Sequence, residues 1–183
     1  MSLFDLATQF IAKKYDGVYR LGVVVPYTTH LYGVARLLKS VGYREEVVIA
    51  VLLHDCLEDE KATEEELQQH FGEEITELVK ASTEPMKNVQ WDERKQEVID
   101  TIQYKSDEKL AIMLAEKIQN VRAITVEIAQ FGERTWENFK APKEKQEWYY
   151  RSIISEVKIY HPNAVLLHQL EQAVDKLFVR VEN

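Results

Sequence analysis

The sequence places two ionisable pairs, His54-Asp55 and Glu58-Asp59, directly after the strongly apolar stretch from Val47 to Leu53. Charged side chains at such a point are costly to bury unless they are paired or bind a cation. Imidazole nitrogen and carboxylate oxygen are ligands that divalent transition metals accept, with open positions left for water and substrate. The segment therefore predicts a metal site.

The spacing of these residues suggests how they share the work if the apolar helix continues through them. On a helix, His54 and Asp55 point about a quarter-turn apart, so both can reach one ion beside the helix. Glu58 lies four positions beyond His54, about one turn or ~6 Å further along the axis, outside bonding range but near a metal-bound water. Acids near a helix C-terminus are disfavoured by the helix dipole, which favours a functional use.

Further ligands must come from elsewhere in the chain. His30 lies at the start of a predicted helix, and Glu116 interrupts the apolar run 110–115. Buried acids in such runs are usually paired or functional. Plainer readings stay open: His30 could cap its helix, Glu116 could pair with Lys117 or Arg122, and a His-Asp dipeptide also occurs by chance.

Helical periodicity of apolar residues predicts that the fold is all-α and a single domain over residues 1–183. An irregular loop is predicted at 17–27, and another at 83–89. Thr28 or Thr29 is predicted to cap the second helix, Thr63 to open a capping box, and Pro142 and Pro162 to lie in the first turns of the last two helices. The predicted helices are 3–15, 28–42, 44–57, 63–72, 73–81, 91–104 and 106–131, followed by these last two.

Composition limits the class of protein. The formal net charge of −8 argues against a nucleic-acid-binding surface but not against a small phosphorylated substrate, because a bound cation supplies positive charge locally. One cysteine, Cys56, suits a reducing cytoplasm, and the apolar runs are too short to span a membrane. We expect a cytoplasmic protein that binds neither nucleic acid nor membrane; the sequence leaves its oligomeric state open.

Three ordered segments, Tyr27 to His30, Leu53 to Asp59 and Leu114 to Arg122, resemble the HD hydrolase domain of RelA/SpoT-type alarmone hydrolases. The small single-domain (p)ppGpp hydrolases are similar in size, and the resemblance covers at least residues 20–122. It implies an HD-type helical bundle.

The resemblance also implies roles for particular residues. His30, His54 and Asp55 match three metal ligands, and Glu116 stands where the family has a fourth, an aspartate. The metal usually found there is manganese, Mn²⁺. Glu58 and Asp59 match the acidic pair that works on the nucleophilic water. Asn120 matches a substrate-contacting asparagine and Arg20 a basic residue that contacts the nucleotide, whereas Leu21 replaces a further basic residue.

The implied activity is hydrolysis of the 3′-pyrophosphate of (p)ppGpp, in which a metal-bound water attacks the phosphate ester. Two alternatives stay open: an HD phosphohydrolase for another nucleotide or phosphoester, and a catalytically weakened regulatory protein of the same fold. The intact Glu58-Asp59 pair argues against the regulatory alternative, because a binding protein has no need of two acids beside a metal.

Overall fold

The computed structural model describes residues 1–20, 22–83 and 89–179, and within them the chain forms two compact units, residues 1–85 and 86–183. The described residues are helices, turns and loops with one isolated β-bridge, between Tyr19 and Pro26. The all-α prediction is confirmed for this part of the chain. The single-domain assignment stays a prediction, and each unit is described by itself.

The N-terminal unit is built around its most apolar helix. The helices of this unit are α1 (Leu3–Lys14), α2 (Thr28–Ser40), α3 (Glu45–Leu52), α4 (Glu64–Phe71) and α5 (Glu73–Ser82). Helix α3 is buried from Val47 to Leu52 and contacts α1, α2 and α5, while α4 contacts α5. Thr63 caps α4, because its side chain accepts a hydrogen bond from the Glu66 backbone, whereas the Glu66 side chain, which would complete the predicted capping box, pairs with Lys14. Gly72, at φ 84°, ends α4 and precedes α5, a conformation that glycine adopts without strain.

The C-terminal unit is organised by one long amphipathic helix. The helices of this unit are α6 (Trp91–Asp100), α7 (Asp107–Phe131), α8 (Lys143–Tyr160) and α9 (Leu167–Leu177), with 3₁₀ turns at Ile102–Tyr104 and Glu133–Asn138. Helix α7 packs against α9, and α8 packs against both α6 and α9. No helix among the described residues is long and apolar enough to cross a bilayer.

One correction concerns the residues chosen for chemistry. The third helix was predicted to run to residue 57, but α3 ends at Leu52 and residues 53–60, which we call the turn segment, form successive turns. Leu53 donates to both Ile49 and Ala50, and His54 donates to Val51, so the last helical turn tightens before the acids begin. Negative side chains at a helix C-terminus oppose the helix dipole, which is the physical reason to stop there.

Other predicted helix ends were also wrong. Neither threonine caps α2: its N-cap is Tyr27, and the Thr29 hydroxyl donates to the Pro26 carbonyl instead. Pro162 lies in a loop before α9 rather than in its first turn, and the predicted helix 91–104 breaks after Asp100 into a 3₁₀ turn. Pro142 is the N-cap of α8. Most of the predicted loop 83–89 lies outside the described residues, as does Leu21.

Candidate metal centre

His54 is presented by the turn segment with a defined hydrogen-bonding pattern. Its Nδ1 lies 2.6 Å from the Val51 carbonyl oxygen. A carbonyl oxygen can only accept, so Nδ1 carries a proton and donates, which leaves Nε2 as the ring nitrogen that can bind a cation. The ring is thereby oriented as it is in many metal-binding histidines, whose second nitrogen donates to a carbonyl.

The Nε2 of His54 faces a negatively charged oxygen. It is buried, makes no hydrogen bond among the described residues, and lies 3.1 Å from Oδ1 of Asp55. A nitrogen lone pair and a carboxylate oxygen repel each other at this distance unless a proton or a cation lies between them. A shared cation removes the repulsion and uses both atoms as ligands.

His30 completes a three-ligand group from the first turn of α2. It is buried, and its Nε2 lies 3.9 Å from Oδ2 of Asp55. One ligand atom from each of His30, His54 and Asp55 lies within 4.8 Å of the other two. Ligand atoms about 2.0–2.2 Å from one ion are separated by about 3–4 Å, so a small contraction brings these three around a cation. Two imidazoles and one carboxylate suit Mn²⁺, Fe²⁺ or Zn²⁺.

Two tyrosines that the sequence reasoning missed hold the acids of this site. The Tyr27 hydroxyl donates to Oδ2 of Asp55 at 2.6 Å, and the Tyr15 hydroxyl donates to Oδ2 of Asp59 at 3.0 Å. Their rings are stacked, with centroids 5.2 Å apart and planes 16° apart. Tyr27 stood in the motif that includes His30, which was the available signal. Tyr15 offered none, because its contact with Asp59 joins residues 44 positions apart.

Burial determines the protonation of two further groups beside the carboxylates. Burial raises the pKa of Tyr15 above its ordinary range, and Cys56, Asp59 and Asp55 add to this effect, so Tyr15 is a protonated donor. Burial also raises the pKa of the Cys56 thiol to about 12, with Asp55 contributing. Cys56 is therefore a thiol near neutral pH, and the three residues whose ligand atoms come together supply only nitrogen and oxygen.

The acidic pair lies in the turn segment rather than on a helix face. Glu58 is half-buried and Asp59 is exposed, and the Asp59 backbone donates to the Asp55 carbonyl at 2.8 Å in a single turn. The argument that placed Glu58 one helical turn above His54 was therefore wrong, because no helix continues through these positions. Both acids stay close to Asp55 along the chain. Their catalytic roles stay predictions.

Arg20 lies in a tight loop that leads into the site. Its backbone donates to the Val25 carbonyl, and the backbone of Tyr27 donates to that of Val18, both at 2.9 Å. The Arg20 side chain is half-buried. The loop thus joins Arg20 to Tyr27, which contacts Asp55. A substrate contact from Arg20 stays a prediction.

Glu116 and Asn120 lie one turn apart on α7, in the C-terminal unit. Oε2 of Glu116 accepts from Lys117 Nζ at 2.8 Å and Oε1 accepts from Asn120 Nδ2 at 2.9 Å. The alternative that Glu116 pairs with Lys117 is therefore correct, and the Lys117 side chain in this pair is buried. Arg122 instead donates to Gln169. Glu116 as fourth ligand and Asn120 as substrate contact stay predictions.

Comparison with known proteins identifies relatives of this chain. The chain is 36% identical over 119 residues to a human protein named guanosine-3′,5′-bis(diphosphate) 3′-pyrophosphohydrolase MESH1. The matched segment is 63% of this chain and 66% of that protein. The MESH1 protein of Xenopus tropicalis is 34% identical over 119 residues with the same coverage. The guanosine-3′,5′-bis(diphosphate) 3′-pyrophosphohydrolase of Aquifex aeolicus is 32% identical over 117 residues, which are 63% of this chain but 17% of that protein. The chain thus spans less than two thirds of the length of these relatives.

Solved structures share the fold. The crystal structure of lmo0812 from Listeria monocytogenes, at 31% identity, has a TM-score of 0.75 and covers 82% of this chain and 99% of that one. A metazoan SpoT ortholog that hydrolyses ppGpp has a TM-score of 0.79 at 24% identity, covering 98% of both chains, a likeness of fold. A family model described as an HD domain matches residues 7–144. The chain belongs to the HD domain family.

Proposed function

We propose that this protein is a metal-dependent hydrolase that removes the 3′-pyrophosphate of (p)ppGpp. The observation that carries the proposal is the group of His30, His54 and Asp55, in which Nε2 of His54 lies 3.1 Å from a carboxylate oxygen of Asp55, with the acidic pair Glu58-Asp59 following closely in the chain. The names of the MESH1 relatives supply the substrate.

The proposed cofactor is one divalent cation, Mn²⁺. His30, His54 and Asp55 would hold it, with Glu116 as the fourth protein ligand. When bound, such an ion polarises a phosphoryl oxygen and lowers the pKa of water. A hard-to-borderline ion suits a set of nitrogen and oxygen donors without thiolate.

The residues of the turn segment would handle the protons. Glu58 would accept a proton from the attacking water while the water oxygen bonds to the phosphorus attached to the ribose 3′ oxygen. The bond between that phosphorus and the ribose oxygen then breaks. Asp59 orients the water or gives a proton to the departing ribose oxygen. The products are pyrophosphate and the nucleotide with its 5′-phosphates intact, which is GDP from ppGpp and GTP from pppGpp.

Substrate binding requires positive charge in a chain with a net charge of −8. Arg20 would contact the nucleotide and Asn120 a sugar or phosphate oxygen, while the cation offsets the phosphates locally. We place the reaction in the cytoplasm, because the one cysteine of the sequence is a buried free thiol.

A second candidate is an HD phosphohydrolase for another nucleotide. It is favoured by Leu21, which occupies a position where the resembling family has a basic residue. The loss of one cationic contact changes the phosphate groups that the site can neutralise.

The test is metal analysis of the purified protein together with a product assay over ppGpp, pppGpp, GTP, GDP and other phosphorylated nucleotides. With Mn²⁺ loaded, ppGpp should yield GDP and pyrophosphate. Arg20→Ala should raise the Michaelis constant by about 10-fold or more, since one charge-assisted hydrogen bond contributes about 1.5–3 kcal/mol. Arg36→Ala, at an exposed position of α2, is the control. Manganese-loaded protein that turns over another nucleotide but not ppGpp would support the second candidate.

A further inference from the structure

The two tyrosine rings connect the metal-binding carboxylate to the acidic pair. Tyr27 bonds to Asp55, Tyr15 bonds to Asp59, and the two rings stack on each other. We call Tyr15 and Tyr27 the tyrosine pair. Neither tyrosine has a part in the proposed hydrolysis, but each hydroxyl donates to a carboxylate that does, Tyr15 to Asp59 and Tyr27 to Asp55.

Tyr27 constrains the rotation of the Asp55 carboxylate. Oδ1 lies 3.1 Å from Nε2 of His54, whereas Oδ2 lies 3.9 Å from Nε2 of His30 and 2.6 Å from the Tyr27 hydroxyl. A hydrogen bond to a carboxylate at this distance is short and strong. While Tyr27 holds Oδ2, the side chain cannot turn Oδ1 away from His54 without breaking that bond. The carboxylate is thus held in the orientation that a cation needs.

Tyr15 constrains the carboxylate of Asp59, which is more exposed than that of Asp55. Asp59 is an exposed residue of the turn segment, so its side chain would otherwise exchange rotamers in water. Tyr15 is 2% exposed at the end of α1, and its hydroxyl is therefore fixed by core packing. Lys61, which directly follows the turn segment, also contacts Tyr15, since its Nζ lies 5.7 Å from the centroid of the Tyr15 ring.

We infer that the tyrosine pair consists of positioning residues, in which Tyr27 orients Asp55 for the metal and Tyr15 holds Asp59 at a fixed place relative to Asp55. The stacked contact between the rings couples the two tyrosines and so favours a constant spacing between Asp55 and Asp59. The Tyr27 half depends only on the metal site. The Tyr15 half rests on the proposed function, because it assigns Asp59 a part in the reaction.

The test compares Tyr27→Phe, Tyr15→Phe and the control Tyr32→Phe, which changes a partly exposed tyrosine of α2 outside the pair. Phenylalanine keeps the ring and removes only the hydroxyl. Mn²⁺ affinity is measured by calorimetry on the full chain, kcat and KM for ppGpp at saturating Mn²⁺, and thermal unfolding without metal. Tyr27→Phe should weaken Mn²⁺ binding by about 10–100-fold, the usual cost of losing a partner of a metal ligand.

Tyr15→Phe should bind Mn²⁺ as the wild type does and lose about 10-fold or more in kcat with KM unchanged, because only the placement of Asp59 is affected. A purely structural role would lower thermal stability and leave both readouts intact. Wild-type Mn²⁺ affinity in Tyr27→Phe, or wild-type kcat in Tyr15→Phe, overturns the corresponding half. If the wild type binds Mn²⁺ but hydrolyses no ppGpp, the proposed function fails while the Tyr27 measurement still decides its own half.

Discussion

The N-terminal and C-terminal units each contain a cluster of buried or half-buried ionisable groups, and the two clusters differ in how their atoms are satisfied. On α7, both oxygens of Glu116 accept hydrogen bonds, one from Lys117 and one from Asn120. In the N-terminal unit, Nε2 of His54 makes no hydrogen bond among the described residues, although Oδ1 of Asp55 lies 3.1 Å from it.

The difference separates groups that a fold can satisfy from groups that need something added. A carboxylate beside an ammonium is neutralised where it stands, although burying the two charges still carries a desolvation cost. Two acceptors in contact are stabilised only by a proton or a cation between them. The comparison therefore ranks the predicted ligands: the histidines and Asp55 should dominate metal binding, and Glu116 should contribute less.

The largest effect is expected from His54→Ala. The variant should lose the metal, because the lone pair on Nε2 has no substitute nearby, and turnover should fall by more than about 10³-fold with the loss of Lewis-acid stabilisation. Metal content measured by mass spectrometry, alongside ppGpp turnover, checks this. His70→Ala is the matched control, since His70 is exposed and its Nδ1 donates to the Glu66 carbonyl of its own helix α4. Full metal stoichiometry in His54→Ala would remove the site from His54.

A smaller effect is expected from the acids of the turn segment. Glu58→Gln and Asp59→Asn should keep both fold and metal but lose turnover, by about 10²–10⁴-fold for a lost general base. The physical reason is that each amide keeps the size of the side chain but cannot take up the proton. Glu60→Gln, on the exposed neighbouring acid, is the control. Metal content and kcat are measured side by side, and near-wild-type turnover in Glu58→Gln would exclude that residue from the mechanism.

The fold was predictable from the sequence wherever local patterns decide it. The apolar run at Val47–Leu52 is a buried helix, Thr63 caps α4, and Ser106 caps α7, because periodicity and capping act within one turn. The end of α3 was predicted wrongly, since the competition between helix propensity and charges opposing the dipole is close. Pro162 was misplaced because a proline suits a loop as well as a first helical turn.

The candidate site was predictable only in part. His30, His54 and Asp55 could be named because their residue types and order resemble a known motif, and the structure brings these three together. The tyrosine pair could not be derived, because a tyrosine beside a helix end has the same sequence pattern whether it only packs in the core or also donates to an acid. Hydrogen bonds between distant segments depend on packing that periodicity does not specify.

The smallest effect is expected at Glu116, the residue on which the comparison bears most directly. Glu116→Gln keeps the shape and an oxygen acceptor but removes the charge. If Glu116 is the fourth ligand, Mn²⁺ affinity should fall by about 10-fold, whereas Glu116→Asp should keep most of it. Glu116→Gln should also lower the free energy of unfolding by about 1–2 kcal/mol, because buried Lys117 loses the carboxylate charge that lies 2.8 Å from its Nζ. The 22% exposure of the Glu116 side chain keeps this cost below that in a fully buried pair.

The control Lys117→Met separates these two consequences. It removes the same ion pair from the other side, so it should change stability without weakening Mn²⁺ binding. Calorimetry with Mn²⁺ and urea unfolding without metal are run on all three variants. A loss of stability in Glu116→Gln with wild-type Mn²⁺ affinity would assign Glu116 to the ion pair alone and leave three protein ligands. Equal loss of affinity in Glu116→Gln and Lys117→Met would show that the effect passes through the packing of α7, because only one of the two side chains can bind a cation.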